Sequence, residues 1–293
     1  MIGRALLVVN PASRKGARHQ ASVEREFRSA GVTVDVAVTQ GPGHATEIVR
    51  SADAAYDAIF VLGGDGTAME AVSGCVGTQR PVGVLPAGTG NLLAGSLGIP
   101  RGARRATKAL VRGGIQRVDL ARFADGRYFA FAAGLGIDVA MLRDTTPAWK
   151  RRLGIFAYVV SAGRAALRRD EFELAAVVDG SKVGLRASLV MVANWGSLFG
   201  GRFQIGPDIR ADDGMLDLCV FSPTSAMDVL NIVWRVWRRN FRPHPHMRFV
   251  KGKRISLVST PSSVVEADGE LLGQTPVEIE VVPLAATFLV PRH

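Results

Sequence analysis

The chain opens with short apolar runs separated by stretches of helical periodicity. Ala5–Asn10 reads as a strand and Ala17–Ala30 as a helix; Val32–Thr39 alternates like a second strand, and His44–Ala52 is helical. Ala58–Leu62 is apolar throughout, as a strand covered on both faces would be. A glycine-rich turn, Gly63–Thr67, leads into a helical stretch from Ala68 to Val76. Pro81–Leu85 predicts a further strand and Arg104–Arg112 a further helix. Strands alternating with helices predict a parallel sheet with helices on its faces. Ligands bind such sheets at the carboxyl ends of the strands. Asn10, Thr39, Gly63 and Pro86 all fall at those ends, so the polar and glycine-rich turns converge on one edge.

From about Val118 the pattern changes. Val118–Phe123, Arg127–Ala133, Glu173–Val178, Val183–Asn194, Gly214–Phe221 and Arg254–Val258 predict strands, and Val264–Glu266, Val277–Val282 and Thr287–Val290 continue them. Asp125-Gly126 and Asp179-Gly180 are hairpin signals. The expectation is an antiparallel β domain carrying two helical insertions, Trp149–Arg169 and Ala226–Arg242. The expected domains are residues 1–118 and 119–293, with the last strand free to return to the first domain.

Composition narrows this picture only a little. The 293 residues suffice for two cores, and 47% hydrophobic with 21% charged residues is globular rather than disordered. The net charge of +10 admits anionic partners, namely nucleotides or an acidic membrane surface. No nucleic-acid motif accompanies it, so nucleic acid is not an expected partner. Cys75 and Cys219 lie far apart and form no metal-binding pair, which suits a reducing cytoplasm. The N-terminus lacks the long apolar core of a signal peptide, and the uncharged stretch Leu153–Gly163 is far too short for a membrane span. The expected location is cytoplasmic, with peripheral membrane contact.

Candidate chemistry concentrates in four places. In Gly63-Gly64-Asp65-Gly66-Thr67, glycines admit a bulky anion and the following helix start favours negative charge. Asp65 then needs a cation beside it, which suits a nucleotide phosphate with Mg2+; a tight turn capped by Asp is the plainer alternative. Asn10-Pro11-Ala12-Ser13 ends the first strand with groups that suit phosphate or a helix cap equally. Gly88-Thr89-Gly90-Asn91 ends another strand on the same edge and supplies a second wall for a nucleotide. Glu266, Asp268 and Glu270 alternate late in the chain. In an extended segment they would project together and raise one another's pKa, as a general base requires; an Asp-Gly hairpin tip is the alternative.

These four motifs, in this order and approximate spacing, resemble the diacylglycerol kinase catalytic family, which includes sphingosine kinases and soluble bacterial lipid kinases. The resemblance covers nearly the whole chain. It implies an α/β nucleotide-binding domain with a parallel sheet plus an antiparallel β-sandwich domain, and ATP- and Mg2+-dependent phosphorylation of a lipid hydroxyl. By that resemblance the ATP site comprises Asn10, Pro11, Ala12, Ser13, Thr39, Gly64, Asp65, Gly66, Thr67, Ala68, Met69, Glu70 and Thr89. Asp65 would hold the catalytic Mg2+, with Asp119 near the same metal. Glu270 would act as base with Asp268 beside it. Arg210–Met215 resembles a structural Mg2+ loop, its ligands the Asp213 carboxylate and the carbonyls of Arg210 and Met215; an Asp-Gly turn explains it as well. A homodimer is an allowed assembly.

The chain departs from the family pattern twice. Leu92 follows Asn91 where an acid is common, and Arg14 follows Ser13 where glycine is usual. The GGDGT turn alone is shared with NAD kinases, which makes a soluble-substrate kinase the first rival; a non-catalytic lipid- or nucleotide-binding protein is the second. For the lipid reading, Ala226–Arg242 is a candidate membrane helix. Val229, Leu230, Val233, Val236 and Trp237 share one face, and Arg235, Arg238, Arg239 and Arg242 gather on the other. Trp149–Arg152 with Leu153–Val160 has similar character, and packing of either apolar face on the β domain is the alternative.

Overall fold

The computed structural model describes residues 2–13, 16–78, 80–135, 172–198 and 203–292. The chain forms two compact units. Met1–Val118, Leu198–Gly201 and Leu284–His293 belong to the first; Asp119–Ser197 and Arg202–Pro283 belong to the second.

The first unit is built on a parallel sheet. Strands β1 (Arg4–Val9), β2 (Thr33–Val38), β3 (Ala58–Gly63) and β4 (Val82–Pro86) lie in the order β2-β1-β3-β4. The end of the chain's last strand adds beside β4 through Phe288 and Val82. Helices α1 (Gly16–Ser29), α2 (His44–Arg50), α3 (Asp65–Cys75), α4 (Leu92–Ser96) and α5 (Ala103–Leu110) fill the connections. Every residue of β3 is buried, and Phe27 of α1 meets Phe60 of β3 edge to face at 4.7 Å. Burial on both faces explains why β3 is apolar without alternation. The register pairs Val9 with Val38 and Leu62, and Gly63 with Pro86. All four strands therefore end flush, and their following turns leave the sheet at one edge.

The second unit is a β-sandwich. Its strands are β5 (Gly114–Phe123, which begins in the first unit), β6 (Tyr128–Phe129), β7 (Ala132–Leu135), β8 (Phe172–Val178), β9 (Ser181–Ala187) and β10 (Leu189–Ala193). They continue with β11 (Ser197–Leu198, which ends in the first unit), β12 (Phe203–Gln204), β13 (Leu216–Phe221), β14 (Met247–Gly252), β15 (Arg254–Thr260), β16 (Val264–Ala267), β17 (Glu270–Gln274) and β18 (Val277–Val290, which crosses into the first unit at Leu284). One antiparallel sheet runs β14-β13-β10-β7-β16-β17; in the other, β18, β15, β8 and β9 are neighbours in that order. Leu135, Val190, Leu218 and Val265 of the first share a buried core with Leu174, Ala176, Ile255 and Leu257 of the second. Helix α6 (Ala226–Trp237) connects β13 to β14.

The fold class expected from the pattern is the one observed, with local corrections. Val183–Asn194 is not one strand. The chain breaks at Ser188, with β9 pairing β8 in one sheet and β10 pairing β7 and β13 in the other. Apolar residues on both sides of Ser188 hide that corner, because Val183 and Ala187 before it and Val190 and Val192 after it enter the same core. Strands β14 and β17 have mixed or largely exposed residues and gave no clean alternation. The helix expected at Trp149–Arg169 lies outside the described residues. Among the described residues, no helix is long and apolar enough to cross a membrane.

Candidate active site

In the first unit the glycine turns are fastened to one another. Asn10, just after β1, donates from its carboxamide to Thr67 Oγ1 at 2.8 Å and accepts the Ala12 N–H at 2.9 Å. The Gly63 carbonyl accepts the N–H groups of Ala87 and Gly88 at 3.0 and 3.1 Å. Contact this close needs glycine. A Cβ on Gly88 would lie 2.5 Å from Gly64 Cα, and one on Gly90 would lie 2.9 Å from Asp65 Oδ2. Asn91 adopts a left-handed φ of 50° and closes the second turn by exchanging two 3.0 Å bonds with Gly88.

Asp65 is the carboxylate these turns share. Its Oδ1 accepts the Leu93 N–H at 3.0 Å, at the start of α4. Burial raises its pKa above the ordinary carboxylate value, and the N–H groups of Leu93, Leu92 and Asn91 oppose that rise. Gly64 is the N-cap of α3 and offers no side chain to the N–H groups that open the helix. Those groups, with the glycines around them, suit an anion.

The remaining residues of the expected nucleotide set divide into two groups. Pro11, Ala12, Gly66 and Thr89 are exposed, Asn10, Ser13 and Gly64 half-buried, and Thr39 and Thr67 buried along the same strand edge. The side chains of Ala68 and Met69 are instead packed in the core. Glu70 turns its carboxylate to the Ala45 N–H at 3.1 Å, where it caps α2. Arg14 lies outside the described residues.

No group of three or more His, Cys, Asp or Glu is arranged to hold a metal ion among the described residues. A single half-buried carboxylate beside an anion-ready helix start fits a cation that arrives on nucleotide phosphates, rather than a metal cage of the protein's own.

In the second unit the late acidic segment does not stay extended, contrary to the expectation of three carboxylates projecting together. Asp268 and Gly269 take φ of 49° and 92°, as in a type I′ hairpin, and join β16 to β17. The reversal sets Ala267 opposite Glu270 and Glu266 opposite Leu271, so Glu266 and Glu270 occupy opposite faces. Glu266 is buried and accepts the Gly269 N–H at 2.6 Å. Asp268 accepts the N–H groups of Ala130, Phe131 and Ala132 at 2.7, 3.0 and 3.2 Å. Burial nevertheless pushes its pKa up to about 6 against those bonds, with the charge of Glu266 adding to the rise. Asp268 thus anchors the hairpin tip, and Glu270 stands exposed just beyond it.

Asp119 is fully buried, and its Oδ2 accepts the Gly214 N–H at 2.7 Å. It is thereby tied to the Arg210–Met215 loop, a link that sequence spacing gave no sign of. Asn194 was also missed. Its carboxamide donates to the carbonyls of Asp119 and Ala130 at 2.9 and 2.8 Å, bridging this loop to the segment that holds Asp268. The available signal was a lone amide closing the wholly apolar strand β10.

In the Arg210–Met215 loop, protein groups engage Asp213, the carboxylate expected to hold a structural Mg2+. Asp213 accepts the Met215 N–H at 3.1 Å and the Lys251 ammonium at 2.8 Å. Lys251 lies opposite Asp217 in the β13–β14 register, 3.6 Å from its Oδ2, and donates to the Asp208 carbonyl at 2.9 Å. Burial pushes the Asp217 pKa up to about 6 even so. Arg210 pairs with Asp212. The Lys251 ammonium thus places positive charge beside Asp213, where a metal would otherwise supply it.

Comparison with known proteins agrees with this architecture. Residues 4–123 match the family model of the diacylglycerol kinase catalytic domain, and residues 132–290 match that of the YegS C-terminal NAD kinase beta sandwich-like domain. A Staphylococcus epidermidis protein named "Putative lipid kinase" is 30% identical over 240 residues, spanning 80% of this chain and 76% of that protein. An uncharacterized Synechocystis protein is 26% identical across 97% of this chain and 70% of its own length. A solved structure titled "Crystal structure of a putative diacylglycerol kinase from Bacillus anthracis str. Sterne" superposes with a TM-score of 0.84 at 26% identity, covering 99% of this chain and 95% of that one. The chain therefore belongs to the family of lipid kinases that joins a diacylglycerol kinase catalytic domain to a YegS-type, NAD kinase-like β-sandwich domain.

Proposed function

We propose that the protein transfers the γ-phosphoryl group of ATP to the hydroxyl of a membrane lipid such as diacylglycerol. The observation that carries this reading is the fastening of the two glycine turns through the Gly63 carbonyl, beside the uncapped start of α3. Asn10–Ser13, Thr39, Gly64–Thr67 and Thr89 border the nucleotide in this reading. Asp65 would hold a Mg2+, which when bound neutralises charge on the transferring phosphates. Glu270 accepts the proton of the lipid hydroxyl. Asp268, held by three backbone N–H groups, positions the tip that carries Glu270. The reaction takes place on the cytoplasmic face of a membrane, where the acceptor resides.

Labelled ATP incubated with a lipid extract and with NAD tests the reading. Label in a lipid is expected, and mass spectrometry then names the acceptor. Label in NAD alone would favour the soluble-substrate reading, which the NAD kinase-like description of the second domain supports. Glu270→Ala is expected to lower kcat by about a hundredfold or more while ATP binding persists. Near-normal turnover would remove Glu270 as the base.

A further inference from the structure

Helix α6 presents two apolar faces, and among the described residues only one of them is packed into the fold. Val229 and Ile232 are buried against the second unit, with Val233 and Val236 half-buried beside them. Leu230 and Trp237, which the sequence pattern grouped with that face, point the other way. Together with Met227 and Trp234 they form an outward stripe at steps of three, four and three residues. Their exposures are 72% for Met227, 62% for Leu230, 56% for Trp234 and 58% for Trp237. The two indole rings lie 5.1 Å apart, and the Arg238 guanidinium sits 5.4 Å from the centre of the Trp234 ring. A contiguous stripe of such large side chains is uncommon on a surface with nothing to meet.

Charge indicates what it meets. Arg235, Arg238, Arg239 and Arg242 crowd the end of the helix and the turn after it. Asp228, the one acid between Ala226 and Pro243, is bonded to Thr224 and Ser225 at the helix start. Apolar insertion flanked by arginine, with tryptophans at the boundary, matches the interfacial region of an anionic bilayer. We propose that Met227, Leu230, Trp234 and Trp237 enter the surface of an anionic phospholipid membrane while the arginines contact its headgroups. This rests on the lipid-kinase reading for its purpose, but the docking surface stands on its own geometry.

The test compares the full chain with the Leu230→Ser/Trp234→Ser/Trp237→Ser variant. Co-sedimentation is measured with vesicles of equal phosphatidylglycerol and phosphatidylcholine, and again with phosphatidylcholine alone. Wild type should bind the anionic vesicles, with a blue shift in tryptophan emission. Each large apolar residue removed should weaken binding by about tenfold. The variant should keep the wild-type melting temperature and its turnover of short-chain diacylglycerol dispersed in detergent, and lose turnover on vesicles. Equal binding by variant and wild type overturns the proposal, as does failure of wild type to bind. A dimer that becomes monomeric in the variant with vesicle binding intact would make the stripe an interface between copies. A steep fall in melting temperature would mean that the chain itself covers the stripe. Failure of the kinase reading shows separately, as absence of turnover on dispersed lipid by wild type whatever the vesicles show.

Discussion

Gly88→Ala probes the joint on which the nucleotide site depends. The added methyl would begin 2.5 Å from Gly64 Cα, and backbone rather than a flexible side chain stands in its way. Ordinary carbon contact needs about 3.5–4.0 Å, so the two turns must part by roughly 1 Å. That displacement carries the 3.0 and 3.1 Å bonds from Ala87 and Gly88 to the Gly63 carbonyl beyond good hydrogen-bond distance. Overpacking costs about 1–3 kcal/mol, and each weakened bond adds up to about 1 kcal/mol. The expected loss is about 2–4 kcal/mol, a fall of roughly 5–15 °C in melting temperature. Gly95→Ala is the control: its Cβ meets nothing within 4 Å, and it lies inside α4, where alanine is neutral or better than glycine by up to about 1 kcal/mol. Melting curves are paired with ATP titrations and single-turnover rates. Gly88→Ala should weaken ATP binding and slow transfer by about a hundredfold, since a 1 Å misplacement is enough for that. If Gly88→Ala melts with wild type and binds ATP equally well, the two turns are not mechanically coupled and the site argument fails.

Two further predictions concern the second unit. The Asp217 carboxyl is raised in the folded state to about 6 from 3.8, so the fold takes up a proton there that the unfolded chain releases. Its contribution is greatest below about pH 4, declines as pH rises to about 6, and is flat above. Asp217→Asn should therefore flatten the pH 4–6 slope of denaturant stability by up to about 3 kcal/mol and raise stability at pH 8; an unchanged slope would discount the burial argument. Exchange of Mg2+ for EDTA should leave the wild-type melting temperature unmoved, because Lys251 already neutralises Asp213. Lys251→Met should cost about 2 kcal/mol and make that temperature respond to millimolar Mg2+. A wild-type response to Mg2+ that Asp213→Asn abolishes would instead restore the metal loop.

The parallel sheet was legible because β3 is uniformly apolar and the polar turns recur at strand ends, and the structure sets those ends flush. The Asp-Gly hairpins at residues 179–180 and 268–269 were legible as turn chemistry, and both use positive φ at both positions. The reversal at Asp268 nevertheless undid the grouping of Glu266 with Glu270, because alternation within one strand says nothing once the strand turns back. The ties from Asp119 to Gly214 and from Asn194 to Ala130 join residues 95 and 64 positions apart, and no local pattern encodes such pairs. The outward stripe of α6 was misplaced for a different reason. A helix apolar on two faces has no single periodic signal, and only the packed structure shows which face the fold takes.

The Leu92 departure also changes meaning once Asp65 is placed. An acid at that position looks like a missing ligand when the turn is read only as Gly-Thr-Gly-Asn. In the structure, position 92 contributes to Asp65 through its backbone N–H, together with those of Asn91 and Leu93. Any residue other than proline supplies that group. The glycines have the same explanation: Gly90 is small because the Asp65 carboxylate lies against it, and Gly88 because Gly64 does. The second turn is therefore written largely by the position of one half-buried acid in the first. What the turn requires is space at Gly88 and Gly90 and backbone N–H groups facing Asp65, and this chain supplies both.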